Sequence, residues 1–128
     1  MLYLSHTYGF VVQLTIDAKI DVNSHVKISA ANKAGKASSG DFCVGILISL
    51  PAEYPGNASV LTKYSQKRQL IASAEVNPGD RLKLGTDGSG GEQRYMPFVP
   101  GTDEPGLEVG IALTAASGAD ENFDALIA

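Results

Sequence analysis

Apolar residues alternate with polar ones along much of this chain, and clusters of glycine and proline separate the alternating stretches. In the segment Phe10–Ile16 the even-numbered positions are all apolar, whereas Gln13 and Thr15 lie between them. A β-strand points successive side chains to opposite faces, so a period of two predicts a strand with one buried face. The same pattern predicts strands at His25–Ala30, with its even-numbered residues inward, and at Arg81–Leu84.

The rest of the chain continues this pattern of short strands and turns. The apolar run at residues 42–50 predicts a strand buried on both faces. Further strands are predicted at residues 57–63, 68–74, 92–96, 107–114 and 123–127, between turn clusters at 55–57, 77–80, 86–91 and 100–106. The alanine-rich segments 30–37 and 112–119 are too short to be stable helices alone. We therefore predict an all-β chain with at most one or two short helical turns.

Composition excludes several classes of protein. The 128 residues fit one domain, and 44% hydrophobic content with 19% charged residues argues against disorder. A net charge of −4 argues against nucleic-acid binding, which needs a basic surface. The longest apolar stretch, residues 42–52, is too short for a membrane helix. The first residues lack the basic start of a secretory signal, so we expect a soluble protein of the cell interior.

One short sequence occurs twice. Val44-Gly45-Ile46 returns as Val109-Gly110-Ile111, 65 residues later. A glycine inside an apolar strand has no side chain to pack, so Gly45 and Gly110 indicate a bulge, a barrel corner or a close backbone approach. Gly79, in the Asn-Pro-Gly-Asp turn at residues 77–80, is the third glycine to which we assign a structural role. The repeat favours two similar β units that close one barrel.

The residues that could carry chemistry do not assemble into a catalytic or metal site. Cys43 lies in an apolar run and is expected to be a buried, inert thiol. His6 and His25 lack the clustered partners that zinc requires, and His25 is expected to face solvent on its strand. Residues 87–91 match no serine-hydrolase loop and are interpreted as a hairpin tip. No catalytic residue, metal or cofactor is predicted.

The first eight residues stand apart from the strands. They carry Leu2, Tyr3, Leu4 and Tyr8 ahead of the first clear strand. One interpretation is an edge strand of the core, because chain ends are ordered only where they are tied down. The other is an apolar arm, residues 1–8, that adds a strand to a partner's sheet. Residues 9–128 would then form a single barrel-like domain.

The order of strands and turns resembles that of small head-decoration proteins of tailed phages, the lambda-like family that stabilises capsids. The resemblance covers nearly the whole chain. It rests on the strands around Phe10, Val26 and Ala58, the 77–80 turn, and the two Val-Gly-Ile segments. It implies a small β-barrel or β-tulip fold, no enzymatic activity and no cofactor.

The resemblance also implies partners and a location. The protein would be made in the host cytoplasm, assemble as a homotrimer and sit on the outer surface of an expanded capsid, bound to the major capsid protein. The N-terminal arm, with Leu2, Tyr3, Leu4 and Tyr8, would order on that protein. It differs from the longer arms, rich in proline and threonine, of some members. No nucleic acid or membrane is expected as a partner.

Three alternatives remain open. A trimeric small β enzyme, or a ligand-binding barrel, could build its site between subunits from carboxylates of different chains. A structural or adhesive β module, such as the base of a head fibre, would need a longer fibre domain. A biotinyl or lipoyl carrier is suggested by Pro78-Gly79-Asp80, but the tip around Tyr95–Pro97 has no lysine to modify.

Overall fold

The computed structural model describes residues 10–62 and 66–127, and within them the chain is all-β. Its only helical element there is the 3-10 turn Pro105–Leu107. The strands in chain order are β1 Phe10–Ile16, β2 His25–Ala30, β3 Lys33–Lys36, β4 Gly45–Leu47, β5 Gly56–Thr62, β6 Gln66–Ile71, β7 Arg81–Leu84, β8 Tyr95–Pro97, β9 Gly110–Ala112 and β10 Asn122–Ile127.

The chain divides into two compact units. Of the described residues, 10–37 and 43–62 belong to the first unit, and 38–42 and 66–127 belong to the second. Strands β1 to β5 lie in the first unit and β6 to β10 in the second. The expectation of a single barrel-like domain from residue 9 to 128 stays a prediction.

The first unit is a closed five-stranded barrel with the strand order β1-β3-β2-β4-β5, and β5 pairs back to β1. All pairings are antiparallel except β1 with β3, where Thr15 lies opposite Lys33. Closure removes free strand edges, which otherwise expose unpaired backbone groups. The interior is filled by one apolar cluster: Ile16, Val26, Ala34, Leu47, Ala58 and Val60, with Leu14, Ile20 and Val44 packed against it.

The second unit has a five-stranded sheet in the order β6-β10-β9-β7-β8. Its two outer strands approach each other at one parallel bridge, between Ala72, just after β6, and Tyr95 of β8. This bridge occupies the place that the β1–β3 pairing has in the first unit. The second unit therefore has the same strand arrangement as the first, but a single bridge takes the place of the strand pairing that closes the barrel.

The two units match at the level of individual backbone hydrogen bonds. The Ile46–Leu61 pair of β4 and β5 corresponds to the Ile111–Leu126 pair of β9 and β10. Other bonds recur at the same places: Val44 N to Val26 O and Val109 N to Leu82 O; Asn23 N to Leu47 O and Gly79 N to Ala112 O; Ile48 N to Ser59 O and Leu113 N to Asp124 O; Ala37 N to His25 O and Phe98 N to Arg81 O. The chain is thus a structural duplication.

The interior residues of the two units exchange large and small side chains. By strand register, Ile16 corresponds to Ala72, Leu47 to Ala112 and Val60 to Ala125, whereas Ala34 corresponds to Tyr95 and Ala58 to Phe123. All ten side chains are buried. A core accepts such changes when its total volume is kept. The same fold is therefore held by two different sets of apolar residues.

The strand predictions are confirmed at three positions and shortened at others. Strands β1, β2 and β7 have the predicted bounds. Of the predicted strand at 42–50, only β4 forms. Its three residues are buried, whereas Ile48 and Leu50 are exposed. The 107–114 strand likewise contracts to β9, preceded by the 3-10 turn. Ile28, expected to point inward, is exposed near the end of β2.

Candidate functional site

The predicted arm residues Leu2, Tyr3, Leu4 and Tyr8 lie outside the described residues, as does His6. Their role in binding a capsid stays a prediction. The described residues that the sequence singles out include the three glycines Gly45, Gly79 and Gly110.

Gly45 and Gly110 occupy the same position in the two units, and each lies against a neighbouring strand. A Cβ atom at Gly45 would be 2.4 Å from the carbonyl oxygen of Leu61, and one at Gly110 would be 2.4 Å from that of Leu126. These distances are far below van der Waals contact, so only glycine fits there without moving the backbone. This close approach explains why glycine occurs in the Val-Gly-Ile segment of both units.

Gly79 is required for its backbone conformation. Its φ of +89° lies in the left-handed region, which glycine adopts without steric cost. Its N–H donates to the carbonyl of Ala112 at 2.8 Å. In the first unit Asn23 takes the same place, with a φ of 76° and a 2.7 Å bond to the carbonyl of Leu47. Asparagine is among the non-glycine residues that tolerate this region best.

An apolar triangle lies on the outer face of each unit. We define it in the first unit as Ile46, Ile48 and Leu61, and in the second unit as Ile111, Leu113 and Leu126. Residues paired across strands share a face, and Ile48 and Leu113 directly follow β4 and β9, with N–H groups bonded to the carbonyls of Ser59 and Asp124. The pairs are Ile46 with Leu61 and Ile111 with Leu126. Ile46 is absent from the interior cluster of the barrel, as expected for its outer face.

The two triangles differ in exposure. In the second unit the exposed fractions are 44% for Ile111, 40% for Leu113 and 39% for Leu126. In the first unit Ile48 is 36% exposed, whereas Ile46 has no exposed surface. All three are exposed apolar side chains, and the pairing of β9 with β10 places Ile111 beside Leu126. The triangle of the second unit is the candidate interaction surface.

Charged residues of both signs surround this triangle. Lys67 pairs with Leu126, and Arg81 pairs with Ile111, so both lie on the outer face. The Arg81 guanidinium bonds the Glu108 carboxylate, with Nε to Oε2 at 2.9 Å, and lies 5.2 Å from the centre of the Phe98 ring. An apolar centre with a polar rim is the usual anatomy of a protein interface.

His25 is not exposed to solvent, and the expectation that it faces water is wrong. It pairs with Ile46 on the outer face of the first unit and has no exposed surface. Burial lowers its pKa to about 4, because the charged imidazolium would lose its hydration. His25 is therefore neutral at physiological pH.

Three carboxylates of the second unit have lowered pKa values because of local hydrogen bonds. The Asp103 carboxylate accepts a bond from Lys83 Nζ at 2.8 Å and another from the Val99 N–H, and both bonds lower its pKa. Bonds from Arg81 lower the pKa of Glu108, and bonds from Ser117 lower that of Glu121. Each shift has a local partner that explains it.

Cys43 is half-buried in the loop before β4. Residues 87–91 lie in the connection between β7 and β8, where the Gly88 N–H donates to the Glu92 carbonyl and the Gly91 N–H donates to the Gly88 carbonyl. The predicted hairpin tip is confirmed by the antiparallel pairing of these two strands. Within residues 10–62 and 66–127, no group of three or more His, Cys, Asp or Glu side chains could hold a metal ion.

Alternation alone does not identify the triangle, but its paired residues recur at a fixed spacing. An isoleucine is followed by its paired leucine after 15 residues in both units, from Ile46 to Leu61 and from Ile111 to Leu126.

The described part of the chain has no helix of the length and apolarity needed to cross a membrane. Neither a protein-family model nor a curated protein sequence matches the chain.

Proposed function

We propose that this chain is a structural virion protein that binds the outer surface of an expanded tailed-phage capsid. It acts as a homotrimer, contacts the major capsid protein and stabilises the shell by bridging neighbouring capsid subunits. It has no catalytic role and needs no cofactor. It is made in the host cytoplasm and becomes part of the virion.

The observation that supports this proposal is the duplication. A protein that bridges two capsid subunits needs two binding surfaces, and two units with matching strand register provide two surfaces of the same construction. Ile48 and Leu113, which are equivalent in the two units, are both exposed apolar side chains on the outer face. In this proposal each unit contributes one of these exposed side chains to the contact with a neighbouring capsid subunit.

Weak contacts of this kind add up on a repeating lattice. Linked binding units bind far more tightly than either unit alone, because the second contact forms within the same complex. A protein that binds only the expanded shell also raises the stability of that shell by mass action. In this proposal the arm, residues 1–8, supplies a further contact through its leucine and tyrosine side chains.

The test uses expanded capsids assembled without the protein. Purified protein is mixed with these capsids or with unexpanded shells, and the capsids are sedimented. We expect the protein to pellet with the expanded capsids only and to raise the temperature at which they break. Protein that remains in the supernatant with expanded capsids of its own phage would refute the proposal.

Two variants separate the arm from the folded units. Replacing Leu2, Tyr3 and Leu4 with serine is expected to reduce co-sedimentation at least about tenfold, in line with the loss of anchoring apolar side chains. Val22→Ser, at an exposed apolar side chain outside the arm and the triangles, is the matched control and should bind as the wild type does. Equal binding by both variants would exclude a role for the arm.

A further inference from the structure

The outer strands of the second unit, β6 and β8, meet at a short seam. Within residues 66–127, the seam consists of the bridge between Ala72 and Tyr95, together with a bond from the Ser73 N–H to the Tyr95 carbonyl at 2.8 Å. The Ser73 hydroxyl lies 3.3 Å from the same carbonyl oxygen. The Tyr95 side chain is buried inside the unit. Parting of the seam would therefore expose Tyr95 to water.

A pair of charged contacts crosses this seam beside the bridge. Arg94 directly precedes β8, and its guanidinium bonds the carboxylates of Glu92, at 2.9 Å, and of Asp120. Asp120 lies in the turn before β10, and its N–H donates to the carbonyl of Ala72 at 2.9 Å. Ala72 is the residue of the bridge that follows β6. Arg94 thus connects the β8 side of the seam to the β6 side through Asp120.

The backbone around Arg94 is shaped to hold its side chain in place. Asp120 has a φ of 72°, a conformation that residues other than glycine adopt infrequently. A Cβ atom at Gly88 would overlap the Glu92 carboxylate and lie 2.5 Å from Arg94 Nε. That Nε is buried and has no hydrogen-bond partner. Because a buried unpaired donor is costly, the ion pairs of Arg94 have to offset that cost.

The equivalent cation of the first unit makes a more local contact. Lys33 corresponds to Arg94, because each precedes the residue that fills the same interior position, Ala34 or Tyr95. Lys33 Nζ bonds the Asp17 carboxylate at 3.2 Å, and both side chains are exposed. A single exposed ion pair of this kind contributes little to stability. The charged connection across the seam is therefore a feature of the second unit.

We infer that Arg94 is a clamp for the second unit. Through Asp120 it holds β6 and β8 together, and loss of this ion pair opens the seam while the rest of the unit stays folded. An arginine with two carboxylate partners forms a network, which is the arrangement in which ion pairs contribute measurably. The clamp is a property of the folded chain alone, so it is tested in solution with no capsid present.

The test measures hydrogen exchange of individual amides by NMR. The Ser73 N–H reports the seam, and the Val109 N–H, bonded to the Leu82 carbonyl at 2.8 Å, reports the centre of the sheet. Asp120→Asn removes the carboxylate charge and keeps a residue type that tolerates a positive φ. We expect this variant to exchange at Ser73 at least about fivefold faster, relative to Val109, because local opening exposes that amide.

Arg94→Gln removes both ion pairs and should accelerate exchange at Ser73 further, by at least about tenfold. The matched control is Lys33→Gln in the first unit. Its reporter is the Thr15 N–H, which donates to the Asn32 carbonyl at 3.0 Å, and its exchange should change by less than about threefold. Salt gives an independent measurement. About 1 M salt, which shortens the Debye length to about 3 Å, should accelerate exchange at Ser73 in the wild type and have a smaller effect in Arg94→Gln.

The ratio of exchange at Ser73 to exchange at Val109 decides the outcome. A higher ratio in Asp120→Asn and Arg94→Gln supports the clamp. An unchanged ratio overturns it, whether neither amide accelerates or both accelerate equally, because the ion pairs would then not act at the seam. If Arg94→Gln does not fold, Asp120→Asn decides alone, since its side chain is exposed and outside the core.

Discussion

Ile46 and Ile111 occupy the same position in two equivalent units, 65 residues apart, and yet Ile46 is fully buried whereas Ile111 is 44% exposed. The backbone around the two isoleucines is the same. In each unit a carbonyl oxygen closely approaches the glycine that precedes the isoleucine. The two equivalent positions therefore differ in burial and not in the backbone beside them.

Gly45→Ala and Gly110→Ala should both destabilise the protein strongly. The added Cβ would lie 2.4 Å from a backbone carbonyl oxygen in each unit, so the neighbouring strand would have to move. We expect each change to lower the free energy of unfolding by about 3 kcal/mol, measured by urea denaturation. Gly118→Ala is the control, because no atom lies within 4 Å of its added Cβ, and it should change stability by less than about 0.5 kcal/mol. Equal effects at all three sites would contradict the close approach.

The turn before β2 and its counterpart before β7 should both be destabilised by alanine and should both accept glycine. Gly79→Ala places a Cβ on a residue with φ +89° and is expected to cost about 1 kcal/mol. Asn23→Gly relieves the same strain at φ 76° and should be close to neutral, whereas Asn23→Ala should cost about 1 kcal/mol. Thermal unfolding of the three variants is the measurement. A destabilising Asn23→Gly would argue against this reading of the turn.

Alternation predicted the strands wherever one face is buried. The bounds of β1, β2 and β7 follow from the period of two and from the turn residues beside them. Strand β3 was missed because its sequence, Lys-Ala-Gly-Lys, buries only Ala34 and shows no alternation. It is specified by its hairpin partner β2 and not by its own residues.

The duplication was largely hidden in the sequence for a physical reason. Interior residues exchanged size between the units, as with Ala58 and Phe123, so the apolar pattern is kept while the residue types change. Gly45 and Gly110 are fixed at equivalent positions by backbone distance, and they gave the short Val-Gly-Ile repeat. The burial of His25 was also missed, because sequence alternation identifies a face without saying what packs against it.

Asp103 should stabilise the loop after β8 through its charge. Asp103→Asn removes the ion pair with Lys83 and weakens the bond from the Val99 N–H, so we expect a lower unfolding temperature. Because these bonds lower the pKa of Asp103 below its ordinary value of 3.8, its contribution is complete above that pH and is lost as the pH falls further. Asp17→Asn, which breaks the exposed pair with Lys33, is the control and should have a smaller effect. The reverse order would argue against this role.

His25 should make the protein less stable as the pH falls below neutral. The unfolded chain binds the proton with the ordinary pKa of 6.5, whereas the folded chain binds it only near pH 4. Protons therefore favour the unfolded state between these values, and stability should fall by about 2 kcal/mol between pH 7 and pH 5. Below about pH 4 the contribution of His25 should level off. Urea unfolding at a series of pH values measures this loss.

The His25→Gln variant tests that assignment, because glutamine keeps a polar side chain and does not titrate. Its stability should be nearly constant between pH 7 and pH 5, a range that lies above the ordinary pKa of the carboxylates. Glu92, Asp103, Glu108 and Glu121 all have pKa values lowered further by their bonds, so they remain charged there. Glu121→Gln is the control and should keep the wild-type slope in this range. If His25→Gln lost stability as steeply as the wild type, the acid sensitivity would belong to another group.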